Sequence, residues 1–116
     1  MRIIKFRAWD KELKKWFNLP LKEYPIADIK FLTNYIFCQF TGKYDINGRE
    51  IYEGDIVRFR RSDDKFFVGE ISYIEEYGAY FVIHSGASDN QLYAFDNYEV
   101  LGNIFENPEL LEVSNE

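Results

Sequence analysis

Apolar and polar positions alternate with period two along much of this chain. That period sends successive side chains to opposite faces of an extended strand. Near the start, Ile4, Phe6 and Ala8 fall on one face and Lys5 and Arg7 on the other, which predicts a half-buried strand over residues 3–9. Asp10 to Lys15 is polar and reads as a turn, with Trp16 to Leu19 as the returning strand. A hairpin therefore opens the chain. Between Pro20 and Asn34 no clean period holds, and a loop carrying one helical turn or a short strand fits there.

Tyr35 to Phe40 is an aromatic, apolar run of strand length that ends at Thr41-Gly42. Asp45-Ile46-Asn47-Gly48 follows as a turn, because Asn and Gly tolerate the positive φ that tight hairpins require. Glu53-Gly54-Asp55 makes a second turn into a strand from Ile56 to Arg60, where Val57 and Phe59 share one face and Arg58 and Arg60 the other. Phe67, Gly69, Ile71 and Tyr73 alternate through residues 66–74, Tyr77-Gly78 turns the chain, and Tyr80 to His84 returns it. Ser85 to Gln91 reads as a polar loop, and Leu92 to Phe95 and Tyr98 to Phe105 as extended segments. Asn107-Pro108-Glu109 supplies a capping residue, a first-position proline and a first-turn acid, so a short helical turn should close the chain.

These elements make a mainly β protein. At 116 residues the chain has the size of one domain, residues 1–116, in which residues 1–34 form a subregion packed on a β-barrel core of residues 35–111. Aromatic residues make up 19% of the chain; most belong in a β core, and outward Tyr residues would suit a protein partner. A net charge of −6 opposes a broad phosphate-binding surface, which Lys and Arg would have to build. Cys38 is the only cysteine, so no intrachain disulfide or cysteine-built zinc site can form, and a reducing cytoplasm fits. The apolar run at the N-terminus is broken by Lys5, Arg7 and Asp10, unlike a signal peptide, and no stretch approaches the roughly 20 apolar residues of a membrane helix. No membrane partner is expected.

At Asp45-x-Asn47-Gly48 a calcium-loop register would put Lys43 at its first position and Gly54 at its twelfth, where acids are required. That reading fails, and a hairpin turn replaces it. His84 is the only histidine and its neighbour Ser85 would point to the opposite strand face, so a nucleophile and base pair is not expected there. Asp63-Asp64 and Glu75-Glu76 flank strands as solvated turn residues. The one local basic cluster is Arg58, Arg60 and Arg61, with Lys65 close by, and Lys14-Lys15-Trp16 is a weaker candidate for a stacking contact. Neither metal nor cofactor is implied, and no enzyme.

Four blocks carry a family resemblance: IKFRAWDKELKKW (Ile4 to Trp16), QFTGKYDINGREIYEGDIVRF (Gln39 to Phe59), the GEI strand (Gly69 to Ile71) and YEVLGNIFENPELL (Tyr98 to Leu111). In their order and spacing the chain resembles the YopX family of small prophage and phage proteins of Gram-positive bacteria. The resemblance implies a mostly β protein with an SH3-like barrel or related multi-sheet core, encoded by a mobile element. It brings no catalytic residues, cofactor or ligand with it. The expected function is binding, to a protein partner or to itself as a homo-oligomer. The alternative is a nucleic-acid-binding accessory protein that uses Arg58, Arg60 and Arg61.

Overall fold

The computed structural model describes residues 4–19, 35–60, 66–83, 90–92 and 97–113. Among the described residues, nine strands form two antiparallel sheets. In the first, β1 (Phe6–Asp10), β2 (Lys15–Leu19), β3 (Tyr35–Tyr44) and β4 (Glu50–Tyr52) lie in the order β2-β1-β3-β4. In the second, β5 (Asp55–Arg60), β6 (Phe66–Ile74), β7 (Ala79–Ile83), β8 (Asn90–Gln91) and β9 (Glu99–Asn103) lie in the order β8-β7-β6-β5-β9, and the architecture includes one half-barrel. A related multi-sheet core is thus the form the mainly β expectation takes. A 3₁₀ turn, η1 (Glu75–Tyr77), tops the β6–β7 hairpin, and a short helix, α1 (Glu109–Val113), follows β9.

The main core belongs to the five-stranded sheet. Val57 and Phe59 of β5, Ile71 of β6, Tyr80 and Val82 of β7, and Leu92 and Tyr98 cluster there with Ile51 from the other sheet. Burying each such large apolar side chain contributes about 1.5–3 kcal/mol before entropy is counted. Tyr98 brings a hydroxyl into this core and satisfies it by donating to the Leu92 carbonyl at 2.6 Å. Val57 and Phe59 face inward as their alternation predicts, while Arg58 and Arg60 are exposed. Ile56 shares the face of Arg58 yet is fully buried, so that face is covered at the start of β5 and open further along it.

Several boundaries differ from the sequence reading. Strand β3 runs past Thr41-Gly42 to Tyr44, because its pairing with β4 shifts register between Phe40 and Tyr44 and absorbs the break. Thr41 stays buried by donating its hydroxyl to the Ile51 carbonyl at 2.7 Å. Asn90 and Gln91, read as loop, pair with Val82 and Phe81 as a short edge strand. Asn107 does precede α1, but its Oδ1 turns back to accept a long hydrogen bond from the Asn103 N–H at 3.4 Å. Residues 20–34, the predicted junction segment, lie outside the described residues, as do His84, Ser85, Asp63, Asp64 and Lys65.

Candidate functional site

The sheets meet where the sequence carries DINGREIYEGD, residues 45–55. Asp45 is buried and its Oδ1 accepts the N–H groups of Asn47 and Arg49, each at 2.8 Å, which shapes the turn. Its Oδ2 accepts the Val100 N–H at 3.0 Å, and the Ile46 N–H donates to the Tyr98 carbonyl at 2.8 Å. The turn therefore occupies the outer edge of β9. Burial alone would push the Asp45 carboxyl up, but these three N–H donors outweigh it and hold the group below the usual carboxylate range.

Gly54 joins three segments at once: its N–H donates to the Ile71 carbonyl at 2.8 Å and its carbonyl accepts the Ile104 N–H at 2.9 Å. With φ of +89° and Phe105 Cε2 only 3.3 Å from where a Cβ would sit, the position requires glycine.

Next in sequence, Asp55 is 1% exposed and forms an ion pair with Arg7, while its Oδ2 accepts the Tyr52 N–H at 2.8 Å. Burial raises the Asp55 carboxyl, and the Arg7 guanidinium opposes that rise without cancelling it. Arg7 lies between two rings, 3.9 Å from the centroid of Trp16 and 4.6 Å from that of Tyr52. Such stacking is worth about 0.5–2 kcal/mol per contact, more as water is excluded. Its Nε is buried without a hydrogen-bond partner among the described residues. Trp9, on the same strand face as Arg7, stacks on Phe105 at 5.6 Å, and Trp16 meets both rings at 5.0 and 5.5 Å. Period two puts Arg7 on the polar face of its strand, and that face turns out to be the one against the second sheet.

A cleft of about 280 Å³ opens beside this pair, with Arg49, Glu50, Leu101 and Glu106 at its walls. Lys5 answers Glu50 at 2.6 Å, and Tyr52, whose phenol is pushed up to about 12 by burial and by Glu50, donates to the same carboxylate at 3.2 Å. The charges around the cleft are thus mixed in sign and mostly paired. Cys38 lies behind it, buried, with burial holding its thiol up to about 12, so it has no thiolate to offer.

The predicted basic strand is a different case. Arg58 and Arg60 are both exposed on β5, but Arg58 forms an ion pair with Glu99 of β9 at 2.6 Å and lies over the Phe66 ring at 5.0 Å. Asn97 donates to the Arg60 carbonyl at 3.3 Å. Arg61 lies outside the described residues. The two described arginines lie two residues apart on one face of β5, and Glu99 of the neighbouring β9 pairs with Arg58.

Two hairpin tips carry exposed groups that period two does not single out. In the β1–β2 turn, Asp10 Oδ1 accepts the N–H groups of Glu12 and Leu13 at 2.9 and 3.0 Å, and Lys14 N–H donates to the Asp10 carbonyl at 2.9 Å. This presents Lys11, Lys14, Lys15 and a 60%-exposed Leu13 to solvent, with Lys14 in the left-handed region at φ 57°. In the β6–β7 turn, Gly78 takes φ 59° and closes η1 by donating to the Glu75 carbonyl at 3.2 Å. Tyr77 is 70% exposed and packs on Phe81 at 5.4 Å; Tyr73 is 40% exposed and packs on Tyr80 at 5.1 Å. Glu75 and Glu76 lie exposed between them. The aromatic-glycine turn was the available signal in sequence, but nothing local separated inward from outward tyrosines.

The family model for the YopX protein matches residues 22–112. The chain belongs to the YopX family. The crystal structure of a protein from Enterococcus faecalis is similar to it, with 31% identity, a TM-score of 0.66, and coverage of 96% of this chain and 99% of that one. A search of curated proteins gives no match. The YopX match takes in the whole 45–55 joint and the β6–β7 tip, and begins after the β1–β2 hairpin that supplies Arg7. The likeness to the Enterococcus faecalis structure spans nearly the full length, so it extends beyond the range of the YopX model.

Proposed function

We propose that this YopX-family chain acts by binding, to a protein partner or to itself, and carries out no reaction of its own. The observation that carries the reading is the β6–β7 tip, where Tyr73 and Tyr77 stand exposed on a turn already closed by its own hydrogen bonds. Aromatic side chains on a rigid support gain contact area on docking with little ordering cost, and they are enriched where proteins meet. The flanking Glu75 and Glu76 suit a basic partner surface and steer it electrostatically. As a prophage product in the host cytoplasm, the protein would meet host proteins there; its family and its lone, buried Cys38 support that setting.

Photo-crosslinking tests this reading. A benzophenone side chain at position 77 should capture a discrete partner from host lysate or a second copy of the chain, and Tyr73→Ala should weaken the capture about tenfold. No crosslinked product, or one indifferent to Tyr73, contradicts the tip as the site. The nucleic-acid alternative is disfavoured by the Arg58–Glu99 pair, which leaves less free positive charge on β5. A gel-shift titration at about 50 mM salt, where phosphate contacts are strongest, should show no retardation.

A further inference from the structure

We infer that the chain docks head to tail on a second copy of itself, the lysine-bearing β1–β2 tip of one molecule against the acidic, tyrosine-bearing β6–β7 tip of the next. The inference rests on the binding reading above and names the partner for the same tip. Charge complementarity within the molecule argues for it. Among the described cations, Lys5, Arg7 and Arg58 sit in ion pairs, the Arg49 charge helps to lower the Asp45 carboxyl, Lys43 lies 5.9 Å from the Tyr98 ring centroid, and Arg60 has contacts of its own. Lys11, Lys14 and Lys15 share one turn and have no ion pair to another described residue. Glu75 and Glu76, equally exposed, have none either.

Each tip also offers an apolar group beside its charges, Leu13 on one and Tyr73 with Tyr77 on the other. Lysines next to exposed tyrosine rings add cation–π contacts to ion pairs. Exposed ion pairs alone contribute little, so the apolar groups supply the adhesion and the charges select the register. Both turns are held by internal hydrogen bonds, from Asp10 in one and Glu75 in the other, which reduces the ordering cost of docking. Because two different patches meet, each docked pair leaves one free tip of each kind, and assembly continues beyond a dimer unless it closes a ring.

Charge reversal on the purified full chain tests this, read by sedimentation velocity with circular dichroism as the folding control. Lys11→Glu with Lys15→Glu makes both tips acidic and leaves Lys14 at its left-handed position; Glu75→Lys with Glu76→Lys makes both tips basic. The wild type should gain mass with concentration at about 50 mM salt and associate about five- to tenfold more weakly at about 500 mM. Each double variant alone should be monomeric, and an equimolar mixture of the two should associate again. A wild type that stays monomeric throughout overturns the inference. So does association that ignores salt, survives either reversal, or fails to return on mixing. The lysate crosslink at position 77 judges the wider binding reading separately, since a monomeric wild type can still capture a different protein.

Discussion

The joint between the sheets and the tips of the two hairpins use the same kinds of residue and treat charge in opposite ways. At the joint, Arg7, Asp45 and Asp55 are withdrawn from water, and their charges meet a partner charge, backbone N–H groups, or both. At the tips, Lys11, Lys14, Lys15, Glu75 and Glu76 remain in solvent, unpaired among the described residues. Withdrawn charges leave a large penalty behind when one member is removed, whereas solvated charges can change with little effect on folding. Residues 45–55, which lie inside the family match, therefore concern how the chain holds together. Surfaces that could engage another molecule lie elsewhere.

That contrast can be broken in several ways. The largest effect should come from Asp55→Ala, which strands the half-buried Arg7 guanidinium and the Tyr52 N–H; urea unfolding should show a loss of about 3 kcal/mol. A loss under about 1 kcal/mol would mean that the pair does not hold the joint. Gly102→Ala comes next, since a Cβ there would overlap Asn107 Oδ1 and lie 2.8 Å from the Cγ and 3.1 Å from the Cβ of Asn107. It should cost about 1–3 kcal/mol by overpacking. Adding Asn107→Gly should recover part of that cost, and no recovery would place the strain elsewhere.

Asp45→Asn keeps an acceptor but removes the charge, and should lower stability at pH 7 by about 1 kcal/mol. The sign of its pH dependence follows from the lowered Asp45 carboxyl. Ionised Asp45 stabilises the fold above its unfolded value, about 3.9, and that contribution disappears as pH falls through the lower folded value. The gap between wild type and variant should therefore close on acidification. Asp55 and Glu70, both raised chiefly by burial, act with the opposite sign but are present in both proteins; Glu70 leaves the difference unchanged, and Asp55 alters it only through the Asp45 charge, the smallest cause of its rise. Smallest of all, Tyr77→Ala should change the unfolding free energy by no more than about 0.5 kcal/mol while weakening self-association in sedimentation velocity.

Most strands were legible because period two is a local property, written within five or six residues, as in Val57 and Phe59 against Arg58 and Arg60. The turns at Asp45 and Gly54 were legible for the same reason. What could not be read was which strand faces belong together across the fold. Arg7 and Asp55 lie 48 residues apart, and Asp45 and Val100 lie 55 apart, so no window of sequence contains either contact. Lys5 and Arg7 share a strand face, and only the second sheet distinguishes Arg7 by covering it. The basic strand shows the same limit of a local reading: Arg58 was visible, but its partner Glu99 comes from a strand 41 residues later.

The central claim is that Arg7 and Asp55 act as one unit holding the joint between the sheets, and a double-mutant cycle tests it most directly. Urea unfolding of Arg7→Met, Asp55→Ala and the combined variant should show a coupling of about 2–3 kcal/mol, the double variant losing far less than the sum of the singles. Losses that simply add, to within about 0.5 kcal/mol, would show that the two residues act independently and that the joint is held by its backbone bonds and aromatic packing instead.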